Sequence, residues 1–144
     1  MMGMSSEQVI AFNGGVIEQF RANGGEIPEG PLAGNPTLLV TMTGARSGRE
    51  LTSPLTYIRD GDDYVVMASA GGSEKAPAWL FNMRANPDVV LEVGTDRFEA
   101  TAIENEPDER ARLFDAIVEQ MPRFGDYQAG VERTIPIISL RPKN

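Results

Sequence analysis

A chain of 144 residues with 21 acidic and 13 basic side chains carries a formal net charge of -8, and it contains neither histidine nor cysteine. Those absences exclude Ser-His-Asp catalysis, imidazole acid-base work, thiolate nucleophiles, disulfides and nearly every zinc or haem site, so catalysis must use carboxylates, Lys, Tyr, the backbone or a cofactor. The acidic balance argues against nucleic acid or an anionic membrane surface as the main partner, and it leaves a small anionic ligand open.

The length fits one domain over residues 1–144, with a helix and loop to residue 35 and a β-rich body from residue 36. Glu7 and Glu18 sit where a basic leader would be expected to carry cations, and no apolar run approaches the ~18 residues of a membrane span. A cytoplasmic protein without a membrane segment is the expectation.

Ser5 followed by Gln8 forms a possible capping box, and Val9, Phe12, Val16 and Phe20 follow at near-helical spacing, although Gly14-Gly15 weakens the pattern. From Gly24-Gly25 to Asn35-Pro36 the chain reads as a loop. Strands are then predicted over Thr37 to Thr43, Leu51 to Arg59 and Tyr64 to Ser69. Asp60-Gly61-Asp62-Asp63 lacks the spacing of a calcium loop and reads as the hairpin turn between the last two. A short helix is expected over residues 75–85, then a strand pair, Val89 to Val93 and Arg97 to Ile103. Pro107 opens a helix with acidic residues at its positive end, an apolar stripe from Leu113 to Met121, and a stop at Pro122. Residues 121–130 read as irregular. The last strand, Thr134 to Leu140, contains Pro136, which places it at an edge or places the proline at a strand start. Six or seven short strands with three helices, mostly joined by hairpins, predict an antiparallel barrel with peripheral helices, an α+β chain that is mainly β.

Two segments could hold an anion. Gly44-Ala45-Arg46-Ser47-Gly48-Arg49 sets two arginines and two glycines in six positions, where only Arg21 precedes them as a basic residue. Guanidinium groups offer a fixed fork of donors to phosphate or carboxylate, and glycines let backbone N-H groups approach the same anion. The alternative is a plain hairpin loop with solvated arginines. Ser69-Ala70-Gly71-Gly72-Ser73-Glu74-Lys75 leaves a strand, turns on glycine and enters a helix bearing Trp79 and Asn82, which also suits an anion or the polar edge of a ring. It matches neither a Walker loop nor a dinucleotide fingerprint, and a simple turn is its alternative. Met121, Phe124 and Tyr127 either line an apolar pocket or pack at the edge of the core.

In order, Thr43 to Arg49, Pro54-Leu55, Arg59-Asp60-Gly61, Ala68 to Gly72, Pro77-Ala78-Trp79, Asn82, Ala85-Asn86-Pro87, Tyr127-Gln128 and Arg133-Thr134-Ile135-Pro136 resemble the deazaflavin-dependent nitroreductase family. The resemblance implies a split β-barrel, like that of FMN-binding and pyridoxamine-phosphate-oxidase proteins, and coenzyme F420, whose phosphate and oligoglutamate tail make it a polyanion. It implies that Arg46, Ser47, Gly48 and Arg49 hold the phosphate and tail, and that Pro54, Leu55, Met67, Ala68 and Ser69 line the deazaflavin ring. Gly71, Gly72, Lys75, Pro77, Ala78, Trp79 and Asn82 would complete the wall, with Met121, Phe124 and Tyr127 facing the substrate. The implied reaction is hydride transfer to an electron-poor acceptor, an α,β-unsaturated ester, lactone or enone, or a quinone, with Tyr127 or solvent protonating or polarising it. Leu51 and Ala70 stand where family members commonly carry arginine and lysine, and Met121 and Phe124 where nitroimidazole-reducing members carry tyrosine, which implies a more apolar acceptor. The rival readings are an FMN-dependent oxidoreductase of the same fold and a non-catalytic protein that binds deazaflavin or an apolar ligand.

Overall fold

The computed structural model describes residues 6–143, without the side chains of Ser6, Glu7, Val9 and Ile10. Ser5 of the expected capping box and the Val9 side chain therefore lie outside the described residues. A first helix, α1 (Ser6–Ala22), runs through Gly14 and Gly15, and a loop leads from it to strand β1 (Thr37–Thr43). Strands β2 (Glu50–Thr56), β3 (Ile58–Asp60) and β4 (Asp63–Met67) follow. A 3-10 turn at Ala70–Gly72 then leads to helix α2 (Ala78–Ala85). Strands β5 (Asp88–Val93) and β6 (Asp96–Glu104), helices α3 (Pro107–Gln120) and α4 (Arg123–Ala129), and strand β7 (Ile137–Pro142) complete the order.

The seven strands form one antiparallel sheet in the order β2-β1-β5-β6-β7-β4-β3. Strands β2 and β3 stand at opposite ends of that order, yet only Tyr57 separates them in the chain. Consecutive Cα atoms are about 3.8 Å apart, so both ends must come together and the sheet must curl into a barrel. The Tyr57 N-H donates to the Pro36 carbonyl at 3.1 Å, which fixes the crossing beside the start of β1. Pro54, opposite Leu39 in the β1–β2 register, is tolerated because β2 is a terminal strand of the ladder.

Side chains alternate across a strand, and β1 shows the consequence. Leu38, Val40 and Met42 enter the main core with Val65, Val66, Leu91, Ile137, Ile138 and Leu140. Leu39 faces the other way and packs with Val16, Phe20 and Ile27, so α1 and its following loop cover the outer face of β1. Burial on both faces explains the consecutive apolar residues Leu38, Leu39 and Val40. Gly25 makes the same covering loop possible, because at φ +96° an added Cβ would lie 2.4 Å from Gly94 Cα at the β5–β6 turn.

Several boundaries depart from expectation. The predicted strand from Leu51 to Arg59 is two strands broken at Tyr57, where the chain crosses the barrel seam. The helix expected from residue 75 begins at Ala78, after a turn in which Ala70, Gly71 and Gly72 all have positive φ. The last strand begins at Ile137 rather than Thr134 and lies inside the sheet, with Pro136 just before its start. The segment after Pro122, read as irregular, contains α4. Gly125 permits that helix to lie against α3, since a Cβ there would sit 3.4 Å from both Val118 methyls. No described helix is long and apolar enough to cross a membrane.

Candidate functional site

The β1–β2 loop is a hairpin tip and also a presenter of arginines. Thr43 pairs with Glu50, the Gly44 N-H donates to the Arg49 carbonyl at 2.8 Å, and the Gly48 N-H donates to the Gly44 carbonyl at 3.0 Å. Gly44 has no room for a side chain, because an added Cβ would lie 2.7 Å from Ser47 Oγ, and that oxygen accepts the Arg49 N-H at 3.2 Å. Gly48 turns the chain at φ +71°. Residues 45–49 are exposed, and among the described residues neither arginine forms an ion pair.

From α2, Asn82 Oδ1 accepts the Ala45 N-H at 2.9 Å and so fastens the arginine loop to the helix that follows the glycine turn. Half of the Asn82 amide is therefore already occupied by protein. Trp79, one turn earlier, is half-buried against the main core, and Leu80 and Met83 bury the inner face of α2. Arg84 in the last turn grips Glu104 of β6 with two bonds of 2.7 and 2.9 Å, which holds the Glu104 carboxyl below its ordinary range.

The turn at residues 70–72 is left-handed throughout, with φ of +49° at Ala70, +66° at Gly71 and +88° at Gly72. A Cβ on Gly71 would meet open space, whereas one on Gly72 would lie 3.1 Å from Tyr127 Cδ1. Tyr127 of α4 therefore lies directly over Gly72, and its ring meets Phe124 edge-on at a centroid distance of 5.2 Å. Met121 and Phe124 are 8% and 7% exposed and belong to the main core, so of the three expected substrate residues only the half-buried Tyr127 stands against the turn. Met67, Ala68 and Ser69 are buried at the end of β4, Pro54 is buried in β2, and Leu55 beside it is half-buried. Lys75, Pro77 and Ala78 line the exposed approach to α2. Hydrogen bonds and packing thus connect residues 44–49, α2, the glycine turn and α4.

Three residues without an expected role hold this assembly. Arg133 Nη2 lies 3.1 to 3.5 Å from the carbonyl oxygens of Ala68, Ser69, Ser73 and Lys75, and Nε donates to Ser73 again at 3.2 Å. Gln128 of α4 donates through Nε2 to the Arg133 carbonyl at 2.8 Å, and its Oε1 accepts both the Ile135 N-H and Arg110 Nη2 at 2.8 Å. Arg110 Nε donates to the Ile135 carbonyl at 2.8 Å, and burial draws its guanidinium below the ordinary value. One sequence signal was present. Arg110 occupies the apolar stripe of α3, three residues before Leu113 and four before Phe114, where a charge needs a buried acceptor.

Arg21, Arg84, Arg112, Arg141 and Lys143 pair with carboxylates; among the described residues Arg46, Arg49, Lys75, Arg110 and Arg133 around this face do not, and neither do Arg59, Arg97 and Arg123. A surface depression of about 570 Å³ lies elsewhere, between Arg59, Asp60, Asp62, Asp63, Tyr64 and Arg141. Arg112 neutralises Asp60 there and Arg141 neutralises Asp63, so it does not offer the cationic surface that a polyanion needs.

A family model described as F420H(2)-dependent quinone reductase matches residues 15–142. An F420H(2)-dependent quinone reductase of Mycobacterium tuberculosis strain H37Rv is 39% identical over 124 residues, 84% of this chain and 83% of the relative. The chain belongs to this family. It is an F420-dependent oxidoreductase, and the match extends upstream of the motifs into α1. A solved F420-H2 dependent reductase, FDR-A, is 36% identical with a TM-score of 0.69, covering 74% of this chain and 94% of that one. A pyridoxamine 5'-phosphate oxidase from Listeria innocua, at 17% identity and a TM-score of 0.55 over 76% of this chain and 86% of its own, shares the split-barrel fold. The donor set fits the polyanionic F420 of the family: Arg46 and Arg49 lie on the exposed hairpin fastened to α2, and Lys75 and Arg133 lie beside the left-handed glycine turn.

Proposed function

We propose that this chain reduces a quinone with a hydride from reduced F420, bound between the arginine hairpin and the glycine turn. The reading is carried by the exposed Arg46 and Arg49, which lack carboxylate partners in a chain of formal charge -8 and are tied through Asn82 to α2. Arg46, Ser47, Gly48 and Arg49 would hold the phosphate and tail. The end of β4, Gly71, Gly72 and residues 75–82 would form the ring wall, joined by Pro54 and Leu55. Ala68 is buried, and its carbonyl is engaged by Arg133, so it serves the wall through shape.

When bound, reduced F420 supplies the hydride, which carries both electrons. A quinone that receives it needs one further proton to become the hydroquinone. Tyr127 Oη or solvent delivers that proton, and Tyr127 shields the turn from water by lying over Gly72. The chain positions donor and acceptor and supplies the surrounding field, a division of labour that needs no histidine. Relatives named for quinone reduction support a quinone over the enones, esters and lactones also expected from sequence. The same names support F420 over FMN.

The test is turnover of reduced F420 with a benzoquinone, a naphthoquinone and an acyclic enoate, alongside a titration that uses Trp79 fluorescence. Quinone-dependent oxidation of the coenzyme with little response to the enoate is expected. Tight binding without oxidation would favour the carrier reading. FMN retained on purification with no response to F420 would replace the coenzyme assignment.

A further inference from the structure

The turn at residues 68–75 poses an electrostatic difficulty that the chain resolves internally. Four carbonyl oxygens, from Ala68, Ser69, Ser73 and Lys75, converge on one point, and their dipoles repel unless a donor stands among them. Arg133 is that donor, reaching back 58 to 65 residues along the chain. A guanidinium suits the place because its planar fork serves several acceptors. Its own backbone is held in turn, since the Arg133 carbonyl accepts Gln128 Nε2 on the helix that carries Tyr127.

Building on the coenzyme assignment above, we propose that Arg133 is a positioning residue that locks the left-handed turn at Ala70–Gly72 and, through Gln128, fixes the coenzyme wall relative to the acceptor-facing Tyr127. Tyr127 and Gln128 are adjacent on α4: one lies over Gly72, and the other grips the residue that organises the turn containing it. The wall and the acceptor helix are thereby one unit. Every acceptor of the Arg133 side chain is a neutral carbonyl, so its charge remains uncompensated beside a site proposed for a polyanion.

The experiment compares wild type, Arg133→Met and Arg133→Lys in two ways. Amide hydrogen exchange is measured without coenzyme, and coenzyme oxidation is followed in a single turnover at saturating reduced F420 and a benzoquinone. In Arg133→Met, the Gly72 and Ser73 amides, bonded to the Ser69 and Ala70 carbonyls, are expected to exchange at least about tenfold faster. The saturated single-turnover rate is expected to fall at least about tenfold, as for loss of pre-set geometry rather than of affinity. Arg133→Lys keeps the charge without the fork and should fall between them in both. Unchanged exchange in a folded variant overturns the lock, and an unchanged saturated rate overturns the positioning role. If Arg133→Met does not fold, Arg133→Lys carries both comparisons. Failure of wild type to bind F420 removes the function and the positioning role together, while the coenzyme-free exchange still decides the lock.

Discussion

Arg46 and Arg49 project from a hairpin tip whose backbone is closed on itself, so their side chains owe nothing to holding the fold. Arg46→Ala should weaken F420 binding by roughly tenfold or more, the worth of a charge-assisted hydrogen bond, while leaving thermal stability unchanged. The loss should shrink as salt is raised, because exposed charges are screened. Titrations at low and high ionic strength check this, and equal affinities for wild type and variant would return the hairpin to a plain turn. At the glycine turn, substitutions should separate strain from collision. Gly71→Ala meets open space and bears only the left-handed penalty, about 1–2 kcal/mol. Gly72→Ala bears that penalty and also drives a methyl to 3.1 Å from the Tyr127 ring, so denaturant unfolding should show the larger loss. Equal losses would mean that Tyr127 does not rest on Gly72. The two glycines were visible in the sequence, but which one Tyr127 would cover was not, because that depends on where α4 lies.

Elements became legible in proportion to how local their cause was. The β1 strand could be read from Thr37 to Thr43 because β-branched and apolar residues run unbroken. Helix α4 could not, because Pro122, Gly125 and Asp126 are turn formers in isolation, and only contact with Val118 of α3 gives Gly125 a helical purpose. Gly14 and Gly15 lie in α1 with nothing within 4 Å of an added Cβ. Gly14→Ala should therefore stabilise the protein by about 0.5–1 kcal/mol, measured by chemical denaturation, and a loss would show that this face of α1 is not open. Helix α2 is anchored to the barrel by Arg84 and Glu104, and Arg112 and Arg21 likewise hold the Asp60 and Glu92 carboxyls below their ordinary values. A carboxyl with a depressed folded value adds stability above its unfolded value, near 4.5 for Glu, and that contribution disappears as pH falls through the folded value. The thermal midpoint should accordingly drop on acidification from about pH 5 to about pH 3, and Glu104→Gln should flatten part of that drop. An unchanged acid slope in Glu104→Gln would mean the pair contributes little in solution.

At the scale of the whole molecule, the barrel seam places β2, with the arginine hairpin at its start, one residue away from β3. Composition and hairpin signals pointed to an antiparallel barrel, yet the closure itself turns on Tyr57, whose role emerges only when both ends of the strand order are known. The unpaired cations were equally hidden. Counting charge gives -8, and only the fold shows which cations are neutralised by carboxylates and that Arg46, Arg49, Lys75 and Arg133 have no carboxylate partner among the described residues. Arg133 was present in the motif resemblance but acquired a role only from acceptors far away in sequence. The proposed function requires these cations to receive reduced F420 and its hydride to pass to a quinone. The most direct measurement mixes purified protein with reduced F420 and a benzoquinone and follows the spectrum of the oxidised coenzyme. Formation of oxidised F420 that requires both protein and quinone, with hydroquinone in equal amount, is predicted. No binding and no oxidation under conditions where the protein is folded would contradict it.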